Sequence, residues 1–180
     1  MVIDNYEWHV IHKVEEAVRS VFIAALQNNK TVGIISEAGC PGIADPGQVL
    51  VAAAQAAGST IKPLTGPNSI VLALMASGMN GQHFRFAGYL PIDSAARIKA
   101  IKAMENEAVT KHCTQLFIET PYRNNQLLDA LLKTCNPHTR LCIAASLTSP
   151  EEYIKTRSIT EWKKNPPDLN KRPAIFIIGD

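Results

Sequence analysis

The densest group of residues suited to ligand binding is a loop at residues 37–47, with the sequence EAGCPGIADPG. Its three glycines allow a ligand to approach the main chain closely, and its prolines restrict the loop shape at low entropic cost. Backbone amides near the start of a helix can bind a carboxylate or a polar atom of a cofactor. A structural strand-to-helix turn with Asp45 as the helix cap explains the same composition equally well.

Two further loops combine polar side chains with turn residues. Residues 66–69 (GPNS) fit either a ligand contact in the same cleft as the first loop or a turn followed by a helix cap. Residues 119–123 (ETPYR) place an acid, a phenol and a guanidinium directly after an apolar run. There Arg123 could bind a substrate anion, or it could form a surface ion pair with Glu119.

The elements that position these loops follow from hydrophobic periodicity. The pattern predicts helices over residues 10–26, 48–57, 70–77, 94–107 and 125–135. It predicts strands over residues 31–36, 60–64, 84–90, 115–119, 140–146, 154–159 and 174–179. In the first half, this alternation is the βαβ rhythm of a parallel sheet, in which ligands bind at the carboxyl ends of the strands. Both Gly/Pro loops follow such predicted strands, so we expect them to face one site.

Composition limits the classes of protein that the chain can belong to. It has 180 residues, of which 46% are hydrophobic and 19% charged, with a net charge of +2. These values are typical of a globular protein rather than a disordered one. No apolar run approaches the roughly 20 residues that span a bilayer, so we expect no membrane. The four cysteines lack zinc-ligand spacing, which predicts no metal and favours a reduced, cytoplasmic setting.

The run ISEAGCPGIADPG at residues 35–47 resembles a motif of the tetrapyrrole methylase superfamily, the class III S-adenosylmethionine-dependent methyltransferases. Three further segments, residues 63–78, 84–91 and 115–124, match in the same order. Together they most resemble the branch that contains the small-subunit ribosomal RNA 2′-O-ribose methyltransferase. The resemblance implies two small α/β domains, with S-adenosylmethionine bound in a cleft between them, and a homodimer.

The same resemblance divides the chain into an N-terminal cofactor-binding domain, residues 1–82, and a C-terminal domain, residues 83–180. Members of the family begin with a strand and a Gly-Pro-Gly-Asp loop that have no counterpart before Val10, so the N-terminal domain is expected to be truncated. Matching the motifs by position assigns cofactor contacts to six residues, which are Gly39, Cys40, Pro41, Ile43, Ser69 and Ile70. Tyr122 and Arg123 are assigned to the substrate side.

The implied activity is methyl transfer to an RNA ribose hydroxyl. Such a reaction needs the acceptor to be aligned with the methyl group and its proton to be removed. Glu119 is the first candidate for the base and Asp45 the second. Residues 145–152 replace the family's Arg-Glu-Leu-Thr-Lys stretch, which removes a basic pair on the substrate side. One alternative is therefore a methylase of a tetrapyrrole-like small molecule. The missing first strand suggests a second, a non-catalytic cofactor-binding fragment.

Overall fold

The computed structural model describes residues 6–11, 15–37 and 39–179. The chain divides into two compact units, Met1–Asn68 and Ser69–Asp180. This division lies earlier than the domain boundary near residue 82 that the sequence predicted, because helix Ser69–Ser77 packs on the sheet of the second unit. The assignment of two functional domains stays a prediction.

The first unit contains two helices, α1 (Glu15–Gln27) and α2 (Gln48–Ala56). They pack against each other through a small apolar cluster centred on Phe22, Leu50 and Ala54. The prediction that the first helix starts at residue 10 is wrong, since residues 6–11 have no helical structure and residues 12–14 lie outside the described part. The predicted stop of α2 is confirmed, because Gly58 has the left-handed φ of 69° that follows many helices.

The two strands predicted in the first unit, residues 31–36 and 60–64, have no regular secondary structure. A strand requires a hydrogen-bonded neighbour, and neither described segment belongs to a sheet. Their apolar residues nevertheless contribute to folding, because Ile34 and Ile61 pack partly buried against the cluster between α1 and α2. The apolar pattern therefore predicted the burial of these two segments correctly, but it predicted their pairing as strands incorrectly. The parallel sheet predicted for this half is absent from the described residues.

The second unit begins with α3 (Ser69–Ser77) and continues as an alternation of strands and helices. Its elements are β1 (Phe84–Tyr89), α4 (Ser94–Lys111), β2 (Thr114–Ile118), α5 (Asn124–Thr134), β3 (Arg140–Ala145), β4 (Tyr153–Ser158), α6 (Ile159–Lys164) and β5 (Ala174–Gly179). Each strand predicted for this half is confirmed to within one residue at either end. The helix α6 was not predicted, although Ser158 and Glu161 form the capping box that begins it.

The strands form one mixed sheet in the order β1-β2-β5-β3-β4. Strands β1 and β2 are parallel, whereas β5 is antiparallel to both of its neighbours, β2 and β3. Every residue of β5 is buried, as expected for a central strand covered on both faces. This sheet and its helices confirm the predicted α/β class.

Alternate residues of β5 belong to two different apolar clusters. Phe176 and Ile178 pack with residues of α4, α5 and α6 on one face of the sheet. Ile175 and Ile177 pack with residues of α3 on the other. Because strand side chains alternate between faces, one central strand supports both helical layers.

No helix in the described part of the chain is long and apolar enough to cross a membrane.

We expect Phe117→Ala to lower the free energy of unfolding of the second unit by about 3–5 kcal/mol, since a buried aromatic side chain leaves a cavity when removed. Phe117 is fully buried and stacks on Phe176 with ring centroids 5.9 Å apart. Urea unfolding followed by the fluorescence of buried Trp162, in a Trp8→Phe background, measures the loss. The control is Phe84→Ala, because Phe84 is 44% exposed, and an equal loss in both variants would contradict the assignment of the core.

Candidate active site

The two Gly/Pro loops of the first unit lie against each other. A Cβ atom added to Gly66 would stand 2.2 Å from the carbonyl oxygen of Gly39, and one added to Gly39 would stand 2.7 Å from Pro67. Gly39 also has a φ of 89°, which favours glycine. The thiol of Cys40 points toward the Gly66 carbonyl oxygen, with a distance of 3.6 Å between sulfur and oxygen. The structure thus brings together two segments that the sequence predicted to share a site.

The first loop is held by its own main chain. The amide of Gly42 donates to the carbonyl oxygen of Pro46 at 3.0 Å, and the amide of Ile43 donates to the carbonyl oxygen of Cys40 at 3.2 Å. These bonds fix the segment that contains Cys40, Pro41 and Ile43, and leave the Ile43 side chain exposed. A loop ordered in this way can present side chains to a ligand without first losing conformational entropy.

Asp45 does not act as the cap of α2, which was the structural explanation of this loop. The N-cap is Gly47, and no side-chain hydrogen bond caps the helix. The Oδ2 atom of Asp45 is buried and has no hydrogen-bond partner among the described residues. The hydroxyl oxygen of Ser36 is in the same state. Buried polar atoms normally have partners, so these two atoms mark the loop as a place where a ligand or water would bind.

A cavity of about 490 Å³ opens in the second unit, at the edge of the sheet where β1, β2 and β3 all end. This edge is where ligands of α/β proteins bind. Most of the lining side chains are aliphatic, and the others are aromatic, hydroxyl-bearing or acidic groups from segments distant in sequence. They include Ser69, Tyr89, Glu119, Ser146 and Ser149.

Glu119 is the charged group of this cavity, and its side chain is only 1% exposed. Its Oε1 atom accepts a hydrogen bond from the Thr120 amide at 2.7 Å. The same atom accepts two from Arg123, from Nε at 3.1 Å and Nη2 at 2.7 Å. The Oε2 atom is buried without a hydrogen-bond partner among the described residues. The carboxylate is therefore held in place through Oε1, whereas Oε2 is uncommitted, that is, available to accept a hydrogen bond from a ligand.

The environment of Glu119 has two opposing effects on its pKa. Burial raises the pKa, because it penalises the charged form, while the Thr120 amide and the Arg123 guanidinium lower it. The stabilising contacts outweigh burial, and the pKa lies below its usual value. Glu119 is therefore ionised at neutral pH.

The remaining predicted site residues occupy different environments. Ser69 lines the cavity as the first residue of α3. The side chain of Ile70 is buried in the cluster between α3 and the sheet, so any contact with a ligand would have to come from its main chain. Tyr122 is exposed on the short 3₁₀ turn Pro121–Arg123. Arg123 reaches back to Glu119, so the predicted ion pair is present.

Sequence reasoning missed the contribution of the segment after β3. Ser146 has a left-handed φ of 52°, and its amide donates to the carbonyl oxygen of Pro173 at 2.8 Å. Its hydroxyl oxygen accepts from Arg172 at 3.1 Å. Serines after a strand carry no distinctive pattern, and only the sheet order brings this one beside Glu119. Tyr89 was also missed, because it was counted simply as part of β1.

Metal and thiol chemistry find little support in the described residues. No group of three or more His, Cys, Asp or Glu side chains in that part of the chain could hold a metal ion. Burial, reinforced by Glu105, raises the pKa of the Cys135 thiol to about 12. Burial likewise raises the pKa of Cys142. Because the thiolate is the reactive form, neither of these cysteines is a nucleophile at neutral pH.

The chain is similar in sequence to proteins of one described family. The sequence pattern of the family described as tetrapyrrole (corrin/porphyrin) methylases matches residues 7–162. A protein of Pseudomonas aeruginosa named ribosomal RNA small subunit methyltransferase I is 33% identical over 95% of this chain and 60% of its own length. A protein of the same name from Mesorhizobium japonicum is 35% identical over 76% of this chain and 45% of its own. The chain spans about half the length of the curated relatives it matches.

Solved structures show the same fold at low identity. The methyltransferase CobJ matches with a TM-score of 0.62 and 19% identity, over 94% of this chain and 72% of that protein. Uroporphyrin-III C-methyltransferase from Thermus thermophilus, in a complex with S-adenosylhomocysteine, matches with a TM-score of 0.52 and 16% identity, over 93% and 74%.

We expect Gly66→Ala to force the two loops of the first unit apart, because its Cβ atom would overlap the Gly39 carbonyl oxygen. Overpacking of this kind lowers stability by about 1–3 kcal/mol. Hydrogen–deuterium exchange of the Gly42 and Ile43 amides should accelerate, since loop separation exposes their hydrogen bonds. Gly33→Ala is the matched control, because nothing lies within 4 Å of a Cβ atom there. Equal protection in both variants would show that the loops do not depend on this contact.

The Glu119–Arg123 pair predicts how stability depends on pH. A carboxyl whose pKa is lowered by folding contributes stability above the pKa of the unfolded state, and this stability is lost as pH falls through the folded value. Urea unfolding between about pH 5 and pH 3 should therefore show a steeper loss in the wild type than in Glu119→Gln. Asp129→Asn, at an exposed position of α5, serves as the control. Parallel profiles for the wild type and Glu119→Gln would refute the assigned pKa direction.

Proposed function

This chain belongs to the family of tetrapyrrole (corrin/porphyrin) methylases, and from that premise we propose that it is an S-adenosylmethionine-dependent methyltransferase acting on small-subunit ribosomal RNA. The observation that carries the proposal is the buried Glu119 carboxylate, with one uncommitted oxygen at the carboxyl edge of parallel strands. The names of the curated relatives support the choice of substrate. We further propose a cytoplasmic location, as the cysteine pattern favours, and a homodimer, as the resemblance implies.

The charge of the second unit, as well as the names of the relatives, supports an RNA acceptor. The second unit carries 14 lysines and arginines against 10 aspartates and glutamates, whereas the first carries 4 against 6. A net positive unit attracts a polyanion such as RNA over distances of about one Debye length. The cavity in that unit is lined mostly by apolar side chains, and it also carries hydroxyl groups and a carboxylate, which are suited to hydrogen bonding with ribose.

The residues present fit the cofactor. S-adenosylmethionine carries an ammonium group and two ribose hydroxyls, all of which need acceptors, and Asp45 and Ser36 in and beside the first loop have buried oxygen atoms without a hydrogen-bond partner among the described residues. The approach of Gly39 to Gly66 leaves no room for side chains, so main-chain atoms form this part of the loop surface. We propose that Gly39, Cys40, Pro41, Ile43, Ser69 and Ile70 hold the cofactor, with Ile70 acting through its main chain.

When bound, the cofactor supplies a methyl group already activated by a sulfonium. The chain then has to place the acceptor hydroxyl in line with that methyl group and accept its proton. The lowered pKa of Glu119 makes it a weak base, and a general base is most efficient when its pKa is close to the working pH. We therefore propose that Glu119 mainly orients the hydroxyl through Oε2, with Arg123 holding the carboxylate in position. Removal of the proton by Glu119 or Asp45 stays a prediction, and Tyr122 and Arg123 are proposed to lie on the substrate side.

The test measures methyl transfer from radiolabelled S-adenosylmethionine to small ribosomal subunits and, separately, to a tetrapyrrole such as uroporphyrinogen III. We expect labelling of the RNA alone. Glu119→Gln should reduce turnover by about 10²-fold, as expected for loss of alignment, while S-adenosylmethionine affinity, measured by calorimetry, changes little. Asp129→Asn is the control for a lost carboxylate elsewhere on the second unit.

Each other outcome identifies an alternative. Full turnover by Glu119→Gln would remove this residue from the reaction. Labelling of the tetrapyrrole alone would replace the RNA proposal with the small-molecule one. Cofactor binding without transfer to either acceptor would indicate a non-catalytic cofactor-binding protein, and no binding at all would overturn the proposed function.

A further inference from the structure

Two tyrosines stand exposed beside the cavity of the second unit. Tyr89, the last residue of β1, is 63% exposed, and Tyr122, on the 3₁₀ turn after β2, is 76% exposed. Ile92 lies close along the chain and is also largely exposed. Exposed apolar side chains grouped around a cavity are a common mark of a binding surface.

Tyr89 borders two neighbouring depressions, and the residues on either side of Tyr122 line them as well. Tyr89 lines the cavity at the carboxyl edge together with Pro121. It also lines a neighbouring depression of about 510 Å³ together with Thr120 and Arg123. Tyr122 stands in the chain between Pro121, which lines the first depression, and Arg123, which lines the second, and its side chain is exposed.

The main chain under Tyr122 is fixed. The amide of Lys171 donates to the Pro121 carbonyl oxygen at 3.0 Å, and the amide of Arg123 donates to the Thr120 carbonyl oxygen at 2.9 Å. The Glu119 carboxylate anchors the Thr120 amide from the other side. An exposed aromatic ring on an ordered main chain loses little entropy when a flat ligand stacks on it.

A positive charge accompanies the rings. Arg123 uses Nε and Nη2 to bind Glu119. Its Nη1 atom has no hydrogen-bond partner in the part of the chain that the structure describes, and its side chain is 34% exposed. A guanidinium held by a carboxylate on one side can still donate to a phosphate oxygen on the other.

We propose that Tyr89 and Tyr122 stack on unpaired bases of the RNA next to the methylated nucleotide, and that Nη1 of Arg123 binds a phosphate of the same strand. Aromatic rings combined with a cation are the usual means of holding single-stranded nucleic acid, since every base has a π-face. A folded helix of RNA would offer no such faces. This inference rests on the proposed function and adds to it the state of the substrate, which is unpaired at the site.

The test uses a single-stranded RNA oligonucleotide that contains 2-aminopurine, whose fluorescence reports stacking. The double variant Tyr89→Leu/Tyr122→Leu should weaken RNA binding by at least about 30-fold, since two stacked bases are lost. Tyr89→Phe/Tyr122→Phe keeps the rings and should bind like the wild type. Val109→Ser removes an apolar side chain, 56% exposed, from α4 and is the control.

The failure of this inference can be told apart from that of the proposed function. If the wild type binds the RNA and the leucine variant binds equally well, the stacking role is refuted while the function stands. If the wild type binds S-adenosylmethionine but no RNA, the proposed acceptor fails and the inference with it. A change from dimer to monomer in the leucine variant, seen by sedimentation, would assign the tyrosines to an interface between copies and overturn the inference.

Discussion

The buried carboxylate of Glu119 is the constraint that organises the carboxyl edge of the sheet. A charge removed from water is tolerated only when it is paired and hydrogen-bonded. The Thr120 amide and the Arg123 guanidinium satisfy Oε1, and in doing so they fix the course of the chain from residue 119 to residue 123. The exposure of Tyr122 follows, because the residues on both sides of it are committed to other contacts.

The second unit can support this edge because β5 lies in the middle of its sheet. An antiparallel strand between β2 and β3 gives each of them a hydrogen-bonded neighbour without requiring another crossover helix. Its alternating residues join α3 on one face and the other three helices on the other. The strand ends that carry Glu119 and Ser146 are thereby held by layers packed on both sides.

The second half of the chain was largely predictable, because its strands are short apolar runs bounded by turn residues, as in β5. The first half was less so. Residues 31–36 have the composition of a strand, but composition cannot supply the neighbour that a strand needs. The helix α6 was missed because Ile159 continues the apolar pattern of β4, although Ser158 and Glu161 formed a readable cap. At the site, the pairing of Glu119 with Arg123 was one of the two alternatives that the sequence left open for Arg123. The approach of Tyr89 and Ser146 to that pair depends on the sheet order, which no local pattern contains.

The uncommitted oxygen of Glu119 has a further consequence. An efficient general base would have a pKa near neutrality, whereas the contacts of Oε1 hold the pKa of Glu119 below its ordinary value. Methyl transfer from a sulfonium depends mainly on alignment, because the leaving group is already activated. The rigid Glu119 carboxylate meets that requirement, since its Oε2 atom can orient a hydroxyl donor without removing the hydroxyl proton in the ground state. The pKa and the geometry of Glu119 thus agree on a positioning role, and the same Arg123 contact produces both.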